Sequence, residues 1–389
     1  MASLVATVRT TDGIDKSVRR VVDLAGGIGI SSGERVLIKP NMSCAKPSGS
    51  GLVTNVNVVS SLIKLVKEAG GKPLVGDLPI SGWDPEETYR AVGIREGVAR
   101  AGGEFVDFSK DDAVTIHIPG AKVLNKVKVA KTALTVDKIV SVPVFKPHFF
   151  TGMTLCIKNL KGLTWQDQRT RIHVLGLHEP VVDLLQVFKE KVAFGLVDGT
   201  IGSESVRPSG PYYGPTEGKP VKLDMLIAGR DIVAVDSVAE RIAGLDPLDV
   251  QLTKLAYERG LGEALDITVT GDSIRPILLH QSFLSRVFRV LNPIWTSKFL
   301  NPLVHPLVKQ LFGPGVQPLH SVEKDLRTTK VGSILLTGDC DECGVCVKAC
   351  KMNNIKLQRG IPIIGNQHCV RCLICIEVCP KGALALSRV

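Results

Sequence analysis

The sequence predicts an α/β protein: a mainly parallel sheet with helices on both faces, plus a small α+β C-terminal domain. Three observations carry this. From residue 1 to about 270, short apolar runs alternate with segments of helical periodicity, the rhythm of strands joined by crossover helices. Glycine is abundant, at 38 residues, which suits many tight strand–helix turns. Of the 10 cysteines, eight fall between residues 340 and 379, so the C-terminus has its own chemistry.

The elements follow in order. "RVLIKP" reads as a buried strand, and "NVNVVSSLIKLVKEAGG" as a helix stopped by Gly70-Gly71. "KPLVGD" is the next strand. "WDPEETYRAVGIREGVARAGG" is a helical region with Asp84 as N-cap and Pro85 at the first helical position. "EFVDF" and "DKIVSVPVFK" are strands, the proline placing the second at an edge or a strand end. "LHEPVVDLLQVFKE" is helical and "KVAFGLVDG" a strand; "KLDMLIAG", "AVDSVAERIAG" and "DITVTGD" continue the alternation. Arg19 and Arg20 belong to an exposed helix face. "AGGIGI" follows a helix and precedes a strand, the reverse of a dinucleotide fingerprint, and reads as a helix stop.

At 389 residues the chain accommodates two or three domains. We divide it into 1–272, an α/β domain; 273–332, a helical connector both basic and apolar; and 333–389. The net charge of +10 is spread without lysine or arginine runs, which fits acidic partners or an anionic small molecule. No helix-turn-helix, finger or aromatic-plus-basic pattern points to nucleic acid. The N-terminus lacks a signal-peptide layout. No run of roughly 18 uncharged apolar residues suggests a transmembrane segment. A cytoplasmic protein is expected.

The strongest signal is "CDECGVCVKAC" and "CVRCLICIEVCP". Each reads C-x2-C-x2-C-x3-C, the bacterial ferredoxin pattern for 4Fe–4S clusters. Three cysteines spaced in this way wrap one face of a cubane, and in two-cluster proteins the fourth serves the other cluster. Cys340, Cys343, Cys346 and Cys379 are therefore assigned to one cluster, and Cys369, Cys372, Cys375 and Cys350 to the other. Zinc ribbons use pairs rather than such triples. Two 4Fe–4S clusters in a ferredoxin-like domain imply low-potential single-electron transfer, a redox partner protein and a reducing or anaerobic setting. Lys351 replaces the proline that often follows the fourth cysteine.

Polar residues gather at strand ends in the large domain. "LIKPNMSC" brings Lys39, Asn41 and Cys44; "VFKPH" brings Lys146 and His148; "LVDGTIG" brings Asp198. Ligands in such folds sit at the carboxyl ends of strands, although Lys-Pro and Asp-Gly also serve as plain turn punctuation. "TGMTLCIKNLKG" reads as a helix start with Thr151 as a possible N-cap, placing Lys158 and Lys161 on one face. A phosphate, a carboxylate or an anionic organic cofactor such as a flavin would suit it; a solvated lysine-bearing helix is the competing reading.

These motifs, with "DIVAVDSVAERIAG" and the twin-cluster tail, resemble the domain-of-unknown-function 362 family. The resemblance covers residues 8–240 and the tail. It implies iron–sulphur binding and a redox role, and supplies no catalytic residues.

The leading expectation is an oxidoreductase passing electrons between the clusters and an anionic ligand. Lys39, Asn41, Lys146, Lys158, Asn159 and Lys161 would bind that ligand, and His148 or Asp198 would carry the proton. An electron carrier docking through Phe283–Phe312 is a second reading. A maturation factor using Cys44 and Cys156, completed by His148, His173 or His178, is a third.

Overall fold

The computed structural model describes residues 2–80, 83–148, 151–204, 219–277, 334–336, 338, 340–350, 353–365, 369, 374–377, 379–381 and 383–386. The expected docking segment Phe283–Phe312 and nearly all of the expected connector lie outside them. The chain divides into two compact units: Met1–Trp165 with His178–Arg289, and Gln166–Leu177 with Val290–Val389.

The first unit opens with β1 (Ser3–Arg9), α1 (Ile14–Leu24), β2 (Arg35–Pro40), α2 (Val56–Glu68) and β3 (Lys72–Asp77). Next come α3 (Pro85–Val92), α4 (Ile94–Ala101), β4 (Glu104–Asp107), β5 (Ala113–His117), β6 (Lys126–Ala130), α5 (Lys131–Thr135) and β7 (Lys138–Val142). Two short strands, β8 (Lys146–His148) and β9 (Gly152–Thr154), precede α6 (Cys156–Asn159) and a 3-10 turn at Leu160–Leu163. After α7 (Gln166–Val174), which belongs to the second unit, follow α8 (His178–Phe188), β10 (Val192–Ser203), β11 (Pro220–Gly229), α9 (Ile232–Ile242), α10 (Gln251–Glu258) and β12 (Ile267–Gly271).

Eight strands form one sheet in the order β12-β1-β11-β10-β7-β2-β3-β4. Neighbours are parallel except at β11, which runs antiparallel to both β1 and β10. β2 and β3 are buried from their second residue onward, as strands covered on both faces must be. Successive β1 side chains face opposite ways. Ala6 and Val8 join the core beneath α1 and α2, while Val5 and Val235 of α9 both border Gly229. Helices thus cover both faces.

Local chemistry sets the helix ends. Asp84 Oδ1 accepts the Glu87 N–H at 2.8 Å with Pro85 in the first turn, as expected. Asn55 caps α2 and Asp231 caps α9. Arg19 and Arg20 lie on the exposed face of α1 and pair with Glu68 and Asp272; such surface pairs contribute at most about 1 kcal/mol each.

The stretch after β7 departs from expectation. The strand does not run on through Lys146, and no helix begins at Thr151. Instead Lys146–His148 pairs antiparallel with Gly152–Thr154. Pro143 and Pro147 lack the N–H groups a continuous ladder needs. The Thr151 N–H donates to His148 Nδ1 at 3.2 Å and its hydroxyl to the Met153 carbonyl at 2.8 Å, so Thr151 holds a turn rather than a helix cap.

In the second unit, β13 (Ile334–Leu336) pairs with β16 (Leu384–Leu386), and β14 (Ile355–Gln358) with β15 (Ile361–Ile364). The hairpin turns on Arg359 (φ 50°) and Gly360 (φ 79°), the double positive φ that two-residue hairpins favour. Two short helices, α11 (Val345–Ala349) and α12 (Ile374–Glu377), complete the described part. Its small core joins Ile334, Ile355 and Leu384 to Cys346 and Cys375. Among the described residues no helix is long and apolar enough to cross a membrane.

Candidate functional site

Each unit carries one polar or thiol constellation. In the large unit, the end of β2 points Lys39 inward, and only 1% of it is exposed. An ammonium at that depth must donate all its protons. It donates to Asp77 Oδ1 at 2.7 Å, Asn159 Oδ1 at 3.0 Å and the Pro40 carbonyl at 3.0 Å. Asp77 Oδ2 takes the Met42 N–H at 2.7 Å. Asn159 ties α6 to the sheet through the Lys39 carbonyl and the Ser141 hydroxyl.

Lys146 forms the next layer. Its ammonium donates to Asn41 Oδ1 (2.8 Å), Ser43 Oγ (2.9 Å) and the Leu52 carbonyl (2.6 Å). Burial lowers its pKa to about 8, against the opposing pull of Cys44 and Asp77. Asp198 anchors the same 41–55 loop: Oδ2 accepts the Asn55 N–H, and Oδ1 accepts the N–H and hydroxyl of Thr200. Its pKa is raised because burial outweighs those bonds. Gly51 is required here, since a side chain would strike the Gly202 backbone.

Four of the six expected ligand-binding residues, Lys39, Asn41, Lys146 and Asn159, are therefore brought together, and they bind one another. Asp198 is an internal anchor beside them. His148 ends β8, paired with Gly152, and Lys158 and Lys161 are half-buried on α6 and the 3-10 turn. Gly162 explains the end of the "KNLKG" motif: a Cβ there would overlap Asp77 Oδ1 and the Lys39 ammonium. Gly162→Ala should cost about 1–3 kcal/mol in urea unfolding, with intact secondary structure by circular dichroism.

Neither thiol outside the C-terminal unit is exposed. Cys44 is fully buried beside Ser43. Cys156 opens α6, where Asp236 of α9 accepts its N–H at 2.7 Å and that of Ile157 at 2.9 Å. Burial and the Asp236 charge raise the Cys156 pKa well above its ordinary value, which makes it an inert thiol. Among the described residues of the large unit no three His, Cys, Asp or Glu side chains converge to hold a metal ion. Asp77 and Asp236, the two carboxylates that organise this region, were not signalled by sequence. Each meets its partner only through the tertiary fold, at separations of 38 and 80 residues.

In the second unit Cys340, Cys343, Cys346 and Cys379 line one cavity, walled by Leu336, Leu357 and Leu384. Cys350, Cys369 and Cys375 gather around Ile355, Ile364 and Ile376 in the small core; Cys372 lies outside the described residues. Thiolates are soft donors suited to iron–sulphur clusters. Four in one pocket, three from one run and the last from the other, fit a cubane.

Residues 339–383 match the 4Fe-4S dicluster domain, so the C-terminal unit is an iron–sulphur electron-transfer module. Residues 36–241 match the domain of unknown function DUF362, and the chain belongs to that family. It is 28% identical over 257 residues to the thylakoid-associated protein sll1697 of Synechocystis sp., covering 62% of this chain and 74% of that one. Among solved structures it is similar to the lactate racemase apoprotein of Thermoanaerobacterium thermosaccharolyticum, at 17% identity and a TM-score of 0.39. That alignment covers 62% of this chain and 57%, less than two thirds, of the other.

Proposed function

We propose that the protein is an iron–sulphur oxidoreductase with two 4Fe–4S clusters. Cys340, Cys343, Cys346 and Cys379 would hold one, and Cys369, Cys372, Cys375 and Cys350 the other. The clusters supply one-electron chemistry. The observation that carries this is the shared cavity of the first four thiols, drawn from both runs. Leu336, Leu357 and Leu384 form the apolar part of its wall. The large unit would hold an anionic ligand, with Lys158, Lys161 and His148 as the contacts. Lys39, Asn41, Lys146 and Asn159 form the frame behind them, and Asp198 fixes the loop.

The protein purified without oxygen should carry about eight irons, and Cys379→Ser about four, with one EPR signal lost and the other kept. Loss of both signals, or of neither, would break the assignment of Cys379 to the first run.

A second reading, an electron carrier whose large unit performs no chemistry, is favoured by one observation. The ammonium groups of Lys39 and Lys146 are each satisfied by three protein acceptors. Mass spectrometry of material released from the same sample separates the two: a bound anionic organic molecule selects the enzyme, and clusters alone select the carrier.

A further inference from the structure

The described residues leave nine large apolar side chains exposed, and six of them belong to the C-terminal unit: Leu335, Leu336, Val345, Leu357, Ile361 and Ile363. Surface leucines scattered singly need no explanation, but a group of them on one small module does.

The β14–β15 hairpin organises much of this group. Strand alternation gives it two sides. Leu357 and Pro362 are a cross-strand pair, and both line the cavity of Cys340, Cys343, Cys346 and Cys379. The alternate pairs, Lys356 with Ile363 and Gln358 with Ile361, face the other way. All four are exposed, the two isoleucines by 47% each. The hairpin is one layer thick. A molecule seated on its outer side lies a single strand layer from the cavity. Cys343, at the cavity's edge, is itself exposed.

Charge selects the occupant. Residues 333–389 contain seven Lys or Arg and four Asp or Glu, a difference of +3, within a chain of net +10. On the hairpin, Lys356 and Arg359 are exposed and no carboxylate occurs between Ile355 and Ile364. The exposed acids Asp341 and Glu342 lie before the first helix; Glu342 packs against Gly360, and the charge of Lys381 acts on Asp341. Lys348 is exposed as well. An apolar centre with a basic fringe complements an apolar centre with an acidic fringe. A second copy of this chain would bring like charge to like.

We infer that the outer face of the β14–β15 hairpin is the docking surface for a small acidic electron carrier. Ile361 and Ile363 form its apolar centre, Lys356 and Arg359 its charged edge. The inference rests on the cluster reading above, since a carrier gains from this position only if the cavity beneath exchanges electrons.

The test uses the full-length, cluster-loaded protein and an acidic flavodoxin as probe, with affinity read by calorimetry. Binding is expected at low ionic strength and weakens as salt is added. Lys356→Glu with Arg359→Glu should weaken it about tenfold or more, and so should Ile361→Ser with Ile363→Ser. Iron content and EPR signals should match the parent in both variants. Unchanged affinity in both double variants overturns the inference, as does failure of the flavodoxin to bind or equal binding of a basic carrier. A dimer seen by sedimentation that the isoleucine variants disperse assigns the face to a second copy and also overturns it. Absence of iron from the parent strikes the cluster reading instead, which the metal analysis reports independently of affinity.

Discussion

Lys39→Met should destabilise the large unit by about 3–5 kcal/mol, the range for breaking a buried ion pair from one side. The methionine fills most of the volume but leaves Asp77, 2% exposed, without its cation. Asp77 would retain the Met42 N–H on Oδ2 and lose the 2.7 Å bond on Oδ1. Asn159 and the Pro40 carbonyl would each lose a donor as well. Arginine should not rescue, because Gly162 leaves no room beside the ammonium. Adding Asp77→Asn to Lys39→Met should recover part of the loss by removing the stranded charge. Urea unfolding of the three variants measures this. A loss under 1 kcal/mol for Lys39→Met would show that the pair is not the keystone of the β2–α6 junction.

Glu240→Gln should raise stability at pH 8 by about 2 kcal/mol and leave it nearly unchanged at pH 4. Glu240 is 2% exposed. Its Oε1 accepts the Thr253 hydroxyl at 2.8 Å, and Oε2 has no partner. Burial pushes its pKa well up, helped by Asp236 one turn earlier on α9. Burial also raises Asp236 to about 7 although two backbone N–H groups favour its charge. Raised carboxyl pKa values contribute stability that is complete below the unfolded values near 4. It is lost as pH climbs through the folded ones. For Asp236 that window runs from about 4 to about 7, at roughly 1.4 kcal/mol per pH unit. Glu240 contributes a loss of the same sign. The amide keeps the Thr253 acceptor and carries no charge, so it removes the Glu240 share. Asp15, Glu68 and Asp272 have lowered pKa values and the opposite sign, but they are common to both proteins and cancel in the difference. Denaturation at several pH values supplies that difference. Equal pH profiles would show that the fold does not raise the Glu240 pKa above its unfolded value.

The sequence disclosed whatever is periodic or local. The strand–helix rhythm, the Asp84-Pro85 cap and the exposed Arg19-Arg20 face depend on neighbours a few residues away. The cysteine runs were legible because cubane ligation imposes its spacing on the chain. Three things were not legible. The antiparallel entry of β11 leaves no mark, since a strand buried on both faces reads alike in either direction. The Thr151 turn was misread because Gly152–Thr154 is too short to show a period of two before α6 begins. Lys39 and Lys146 were read as contacts for an anionic ligand, whereas they donate to acceptors inside the fold. The carboxylate that neutralises Lys39 sits 38 residues away at the end of another strand, where nothing local announces it.

The position of β1 has a consequence for the time the chain spends emerging from the ribosome. Its two sheet partners are Pro220–Gly229 and Ile267–Gly271, whereas β2, β3, β4 and β7 can pair once Val142 has appeared. At the usual rate of 5–20 residues per second, the first strand waits roughly 15–50 s for its last partner. Until Gly229 has appeared, after roughly 11–44 s at that rate, the stretch from Val5 to Val8 has no ladder to join. β1 cannot join the sheet before Pro220–Gly229 has emerged, so truncation before Pro220 should leave the nascent chain holding an unsheltered N-terminal strand, a substrate for the chaperones that meet it at the exit tunnel.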